Sequence, residues 1–234
     1  SKSSAARDTK QFSNELIISL KIGLFFSIPA SFVFMNFSEL FISVLFERGE
    51  FSSLETKQTA HALVAYALGI PAFIIIKSCQ PAFLAKGNTK TPMHIGFILL
   101  LLNVFLSFTL MHYLRHSGIA LATSLVSWIG SIIYIVLMIK KDKILKFKFS
   151  IKYDQFNLFD VIIYALKIIL ISYLMVLIMK SIFYILNLYK FNEMSISLCI
   201  ILFGFLTYFL TTYFLRYIPQ ELINFNTFKF RKVK

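Results

Sequence analysis

The chain has 234 residues, of which 58% are hydrophobic and only 15% charged, with 24 Lys+Arg against 11 Asp+Glu for a formal net charge of +13. A soluble domain holds about 25% charged residues, so composition excludes an ordinary soluble fold. The basic residues stand at the ends of apolar runs, which marks them as topogenic charge at a membrane surface and argues against nucleic acid as a partner.

Six stretches are long enough to cross a bilayer. Residues 22–38 are free of charge for 17 residues and residues 58–76 for 19. Between Lys90 and Arg115, and again between Arg115 and Lys140, lie 24 uncharged residues; residues 161–179 carry only Lys167, and residues 194–215 are clean for 22. Roughly 20 apolar residues span the hydrocarbon core at about 1.5 Å per residue. In lipid only helices and closed barrels satisfy every backbone group, and these runs are apolar nearly throughout instead of alternating. The predicted fold class is all-α: a polytopic membrane protein with six transmembrane helices.

In chain order, Pro29 falls deep in the first span and predicts a kink there. Residues 40–46 are apolar but too few to cross, and read as an interfacial or re-entrant segment. Pro71 interrupts the second span and Pro81 is expected to limit its far end, while residues 87–92 form a turn that starts a new helix. Spans three and four are joined by a few residues around Arg115, predicting a tight helical hairpin. Small residues four apart, Ala65/Gly69 and Gly118/Ala122, allow close helix contact. A lysine-rich linker over residues 141–160 then separates four spans from a terminal pair, a 4 + 2 organisation: 1–140, 141–158 and 159–234.

Counting basic residues on alternate sides of the six spans gives 18 on one side and 5 on the other, with Lys167 inside a span. The positive-inside rule therefore puts both termini and the linker in the cytoplasm. The chain starts at Ser1 without a cleavable signal pattern, which reads as a processed product or a piece of something longer.

Polar residues within the spans are the usual pointers to function in a membrane protein. Asn103 lies mid-way along span three with Ser107 one turn further on the same face, and Thr123 and Ser124 sit across the hairpin. Their oxygens suit either a small hard cation or a hydrogen bond between helices. Lys167 is seven residues from Asp160, about 10 Å along the helix, so its stem can snorkel to the membrane face. The four histidines and the two cysteines, Cys79 and Cys199, show no metal-ligand spacing, and no catalytic constellation stands out, so neither a metal, a disulfide nor an enzyme is expected.

Several motifs resemble one family. Leu45-Phe46-Glu47-Arg48-Gly49-Glu50-Phe51 is similar to the L-F-x-x-G-x-F signature of the MurJ/MviN lipid II flippases. So are Ala65-Tyr66-Ala67-Leu68-Gly69-Ile70-Pro71-Ala72-Phe73, followed by Lys77 and by Pro81-Ala82-Phe83. Gly87-Asn88-Thr89-Lys90-Thr91-Pro92 looks like that family's G-D-T-K/R-T-P turn, and Gly118-Ile119-Ala120-Leu121-Ala122-Thr123-Ser124-Leu125 its G-L-A-L-A-T-S-L. The resemblance implies the last four helices of the family's second lobe plus its final pair, with the first lobe and the start of the second missing. It implies transfer of lipid II from the inner to the outer leaflet of a bacterial inner membrane by alternating access, in a protein that is a monomer when full length. The terminal pair would offer a groove for the prenyl tail. Asn103, Thr123 and the backbone of Ile119 match a cation site of some members, whereas Ser107 departs from it where an Asp is expected; monovalent cation coupling is the one cofactor role that the resemblance implies. Arg48, Gly49, Phe51, Lys77, Gly87, Thr89, Lys90, Thr91 and Pro92 would be signature residues for structure or gating. Other readings stay open: an exporter of another polyprenyl-linked oligosaccharide or of a drug, a membrane enzyme acting on polyprenyl phosphate, or a non-transporting remnant of a split gene.

Overall fold

A computed structural model describes residues 2–140, 158–219 and 222; the linker and the tail expected from the sequence lie outside them, apart from their margins. The described residues form seven α-helices: α1 (Lys2–Phe46), α2 (Ser53–Ala67), α3 (Ile70–Ala85), α4 (Lys90–Leu114), α5 (His116–Lys140), α6 (Leu158–Leu188) and α7 (Glu193–Phe214). Five carry segments long and apolar enough to cross a membrane, and α2 with α3 makes a sixth span bent by 42° at its break. The all-helical class read from the sequence is the one observed, with five apolar helices and, counting the bent pair as one, up to six spans.

The details of the spans differ from the sequence reading in three places. Residues 40–46 lie beyond a kink in α1 that separates them from the first span, as a short stretch following that span would. That departure from helical geometry falls at Phe37 (φ −126°, ψ 23°), eight residues past Pro29, where the Asn36 side chain donates to the Phe32 carbonyl at 2.8 Å. A side chain bonded back to the i−4 carbonyl competes with the helix ladder and bends it. Pro81 does not limit the second span, because α3 carries it internally and runs on to Ala85. Finally, α6 extends to Leu188, nine residues past the end of the span expected over residues 161–179, and so carries Lys180.

Helix α1 packs against α2, α3, α6 and α7, whereas α5 packs on α2, α3 and α4, and α6 pairs with α7. The core gathers Leu20, Phe25, Phe83, Met138, Ile168, Met179 and Ile200 from several of these helices. Tyr208 of α7 donates its hydroxyl to the Phe25 carbonyl of α1 at 2.6 Å, satisfying a phenol that is 3% exposed. At the other end of α7, Ser43 of α1 donates to the Glu193 carboxylate at 2.8 Å. Helix α4 differs from the rest: only 6% of its apolar window is buried, and Phe97, Leu101, Val104, Phe105 and Phe108 point away from the bundle. Cys79 is buried and Cys199 half-buried, and both are free thiols.

Candidate functional site

Among the described residues, two groups of polar atoms within the spans bear on the sequence motifs. The first is the break between α2 and α3. Pro71 has no N–H, so the Ala67 carbonyl four residues earlier loses its helical donor. The Gly69 N–H, which would have reached Ala65, instead bonds Tyr66 at 2.9 Å in a tighter turn. In lipid such freed carbonyls must find partners, and neighbouring helices supply them. The Ser31 hydroxyl of α1 donates to Ala67 at 2.5 Å, and the Ser124 hydroxyl of α5 donates to Ala65 at 2.5 Å. The Trp128 indole N–H of α5 donates to Leu68 at 3.0 Å. The close approach of α5 requires the glycine at 69: a Cβ there would lie 2.6 Å from the Ser124 hydroxyl and 2.8 Å from its Cα. Sequence reasoning pointed to the break through Pro71 but missed its partners, since Ser31 and Trp128 stand 36 and 60 residues away from the carbonyls they serve.

The second group is the one expected from the sequence, and the structure joins its four members in one chain. Ser107 donates to the Asn103 side-chain oxygen at 3.1 Å; Asn103 donates to the Thr123 hydroxyl at 3.3 Å; Thr123 donates to the Ile119 carbonyl at 3.1 Å. The donors sit on α4 and α5, which a hairpin at Arg115 (φ 51°) brings side by side. The polar side chains are half-buried while the flanking Val104 and Phe105 are exposed. As drawn, each oxygen of the chain is already engaged, and the donor set is four neutral oxygens with no carboxylate. That set holds α4 on α5 as it stands, and it lacks the carboxylates that a divalent cation asks for. Among the described residues no cluster of three or more His, Cys, Asp or Glu is placed to hold a metal ion.

The remaining signature residues build turns. Arg48, Gly49 and Phe51 lie in the exposed loop after α1, where Arg48 donates to the Val44 carbonyl at 3.3 Å and Phe51 packs on Phe46. The Thr56 hydroxyl, buried at the start of α2, donates to Glu47 across the same loop at 2.9 Å. Gly87 closes α3 in a left-handed conformation (φ +69°): its N–H bonds Leu84 at 2.9 Å and the next N–H, of Asn88, bonds Phe83 at 3.0 Å. Asn88 then opens α4, its side-chain oxygen accepting from the Thr91 N–H at 3.1 Å while its amide donates to the Thr91 hydroxyl at 2.9 Å. Thr89 and Lys90 are exposed, and Pro92 sits in the first turn of α4, where its missing N–H costs nothing. Lys77 is exposed on α3, its ammonium 5.2 Å from the Phe73 ring, beside a polar cleft of about 230 Å³ shared with Glu15, Ser19 and Ser78.

Two apolar grooves flank α1. One, of about 430 Å³, is lined by Phe26, Val33, Met175, Ile201, Phe205 and others from α1, α6 and α7. The other, of about 400 Å³, lies between α1, α3, α5 and α6 and includes Leu24, Phe32, Pro71, Trp128 and Ala165.

The family model described as lipid II flippase MurJ matches residues 1–190. A probable lipid II flippase MurJ from Rickettsia prowazekii (strain Madrid E) is 41% identical over 109 residues, covering 47% of this chain and 22% of that protein. The lipid II flippase MurJ of Thermosipho africanus (strain TCF52B) is 34% identical over 138 residues, covering 59% and 29%. A solved structure of a lipid II flippase MurJ in an inward closed conformation superposes with a TM-score of 0.69 at 30% identity, over 90% of this chain and 40% of that one. The chain thus spans less than half the length of the relatives it matches.

Proposed function

The chain belongs to the lipid II flippase MurJ family, and on that premise we propose that it forms part of a transporter moving lipid II from the inner to the outer leaflet by alternating access. The observation that carries the reading is the match in both sequence and shape: the family model covers residues 1–190 and the solved flippase superposes on 90% of the chain. We read the six spans as four belonging to one lobe, followed by a terminal pair. Alternating access needs a second lobe to rock against, and the coverage of 22% and 40% of the relatives supports its being supplied by sequence beyond this chain, in a protein that works as a monomer. The groove between α1, α6 and α7 is apolar and suits a prenyl tail that stays in contact with lipid while the polar headgroup crosses. The basic asymmetry of 18 to 5 supports cytoplasmic termini and a place in the bacterial inner membrane. The oxygens of Asn103, Ser107, Thr123 and Ile119 are where a monovalent cation would be held, coupling an ion gradient to movement of α4 on α5.

The test is genetic. A bacterium is depleted of its own lipid II flippase and given a chimera in which this chain replaces the matching segment of a related flippase. Restored growth, with lipid II reaching the outer leaflet, is the expected result, and the chain by itself does not restore growth. A chimera that reaches the membrane at normal levels without rescue, or rescue by the isolated chain, would overturn the proposal.

A further inference from the structure

Three helices meet at one end of the bundle around two lysines and two tyrosines. Tyr164 and Lys167 stand three residues apart on α6, on one face of that helix. The Lys167 ammonium lies 4.8 Å from the Tyr217 ring, just past the end of α7, and the Lys21 ammonium of α1 lies 6.0 Å from the Tyr164 ring. The Tyr164 hydroxyl donates to the Tyr217 carbonyl at 3.1 Å, tying α7 to α6. Tyr217 is fixed a second time by its own backbone: Arg216 turns left-handed (φ 56°), so the Tyr217 N–H reaches back to Thr212 at 2.9 Å. The rings that carry the cations are thus held in place by the fold.

The rings do not neutralise those cations. A ring quadrupole attracts an ammonium by about 0.5–2 kcal/mol and leaves its charge in place. Among the described residues neither ammonium has a carboxylate within ion-pair distance; Asp160, on the same helix, makes no such pair. Both lysines are half-buried, and Lys167 stands about 10 Å along α6 from Asp160 at 1.5 Å per residue. The apolar groove of about 400 Å³ is lined by residues that flank them in sequence, Leu20 and Leu24 on α1 and Val161 and Ala165 on α6.

We propose that Lys21 and Lys167, framed by Tyr164 and Tyr217, bind the phosphate of an anionic phospholipid in the cytoplasmic leaflet, with one acyl chain laid in the adjoining groove. Basic recesses between helices at the cytoplasmic face are a recurring mode of lipid recognition. A phosphate supplies a counter-charge that no carboxylate among the described residues provides, and the groove favours a lipid over a free anion because it gives the tail a dry surface. The leaflet assignment rests on the orientation proposed above; the binding chemistry does not.

The experiment is native mass spectrometry of the purified chain in detergent, titrated with phosphatidylglycerol, phosphatidylcholine and glycerol phosphate. Phosphatidylglycerol is expected to be retained in preference to the other two. Each of Lys21→Gln and Lys167→Gln is expected to weaken that retention roughly five-fold, the equivalent of about 1 kcal/mol per basic residue. Lys180→Gln, toward the other end of α6, should leave it unchanged, and Lys167→Arg should preserve it. Equal retention of phosphatidylcholine, equal binding of glycerol phosphate, or undiminished phosphatidylglycerol binding by both Gln variants would each overturn the proposal. Should a Gln variant not fold, loss of wild-type selectivity at high salt is the deciding measurement, and selectivity insensitive to salt would overturn it. Because the titration is done in detergent, it is independent of whether the transport or orientation readings stand.

Discussion

The Ser31 hydroxyl of α1 reaches the Ala67 carbonyl at 2.5 Å, the one backbone oxygen that Pro71 deprives of its helical donor. The pairing links a proline in one span to a serine in another, and both Ser31 and Ala67 are buried. Ser31→Ala is expected to lower thermal stability in detergent by about 1–2 kcal/mol, since it leaves a buried acceptor without a partner. Ser124→Ala should cost a similar amount through Ala65. Ser181→Ala, whose exposed hydroxyl bonds only within its own helix, is the control and should change nothing measurable. Equal melting of all three variants would remove the claim that these serines support the break.

The same relationship predicts a specific non-additivity. Pro71→Ala restores an N–H four residues after Ala67, giving that carbonyl an internal donor once the helix straightens. In a Pro71→Ala background, Ser31→Ala should therefore cost markedly less than in the parent, with a coupling of about 0.5–1 kcal/mol in the double-mutant cycle. Strictly additive effects would show that Ser31 and Pro71 do not act on one carbonyl.

Asn88 serves two backbones at once, receiving the end of α3 and capping the start of α4. Asn88→Asp keeps the acceptor for the Thr91 N–H and should be neutral within about 0.5 kcal/mol, whereas Asn88→Ala should cost about 1 kcal/mol. Thermal unfolding of the two variants side by side distinguishes a capping role from a surface one. A neutral Asn88→Ala would refute it.

The helical architecture was legible in the chain because apolar length is a one-dimensional signal: the six runs correspond to five apolar helices and one bent pair. The turn at residues 87–92 was legible for the same reason, since Gly87 and Asn88 act on neighbours within five residues. The kink expected at Pro29 falls instead at Phe37, because its place depends on local backbone geometry that a proline in the sequence does not by itself fix. Asn103, Ser107 and Thr123 were found from facing positions across a short hairpin, where two helices are bound to be neighbours; Ile119 came from the family resemblance, and Ser124, expected beside them, bonds Ala65 of α2 instead. The caps on the helix break were not found, because contact between α1, α2 and α5 is decided by the whole bundle and no local pattern encodes it.

Orientation has its own check. In a background with Cys79 and Cys199 replaced, single cysteines are placed at Ser53, the first residue of α2, and at Ser150, outside the described residues. With both termini cytoplasmic, a membrane-impermeant thiol reagent on intact cells should label position 53 and spare position 150 until the cells are opened. The reverse pattern would invert the topology while leaving the lipid-binding measurement untouched.

The hydrogen-bond chain from Ser107 to Ile119 decides between two roles for Asn103. If it only holds α4 to α5, Asn103→Leu removes one interhelical bond worth on average about 0.6 kcal/mol in a membrane, and the gained apolar contact offsets part of that. Transport in the chimera would then be intact. If its oxygens take part in an ion-coupled movement, loss of the Asn103 carbonyl or of the Thr123 hydroxyl leaves three oxygens where there were four. Asn103→Leu and Thr123→Val should then each impair rescue at normal expression, while Ser127→Ala, one turn along α5 and bonded only to the Thr123 carbonyl, should not. The expected result is partial impairment by the first two variants, together with loss of any dependence of rescue on the sodium or potassium content of the medium. Stability measured in parallel separates the roles: a variant that rescues poorly but melts within about 1 kcal/mol of the parent has lost function and not packing. Full rescue by both variants would leave these residues as the fastening of a helical hairpin and nothing more.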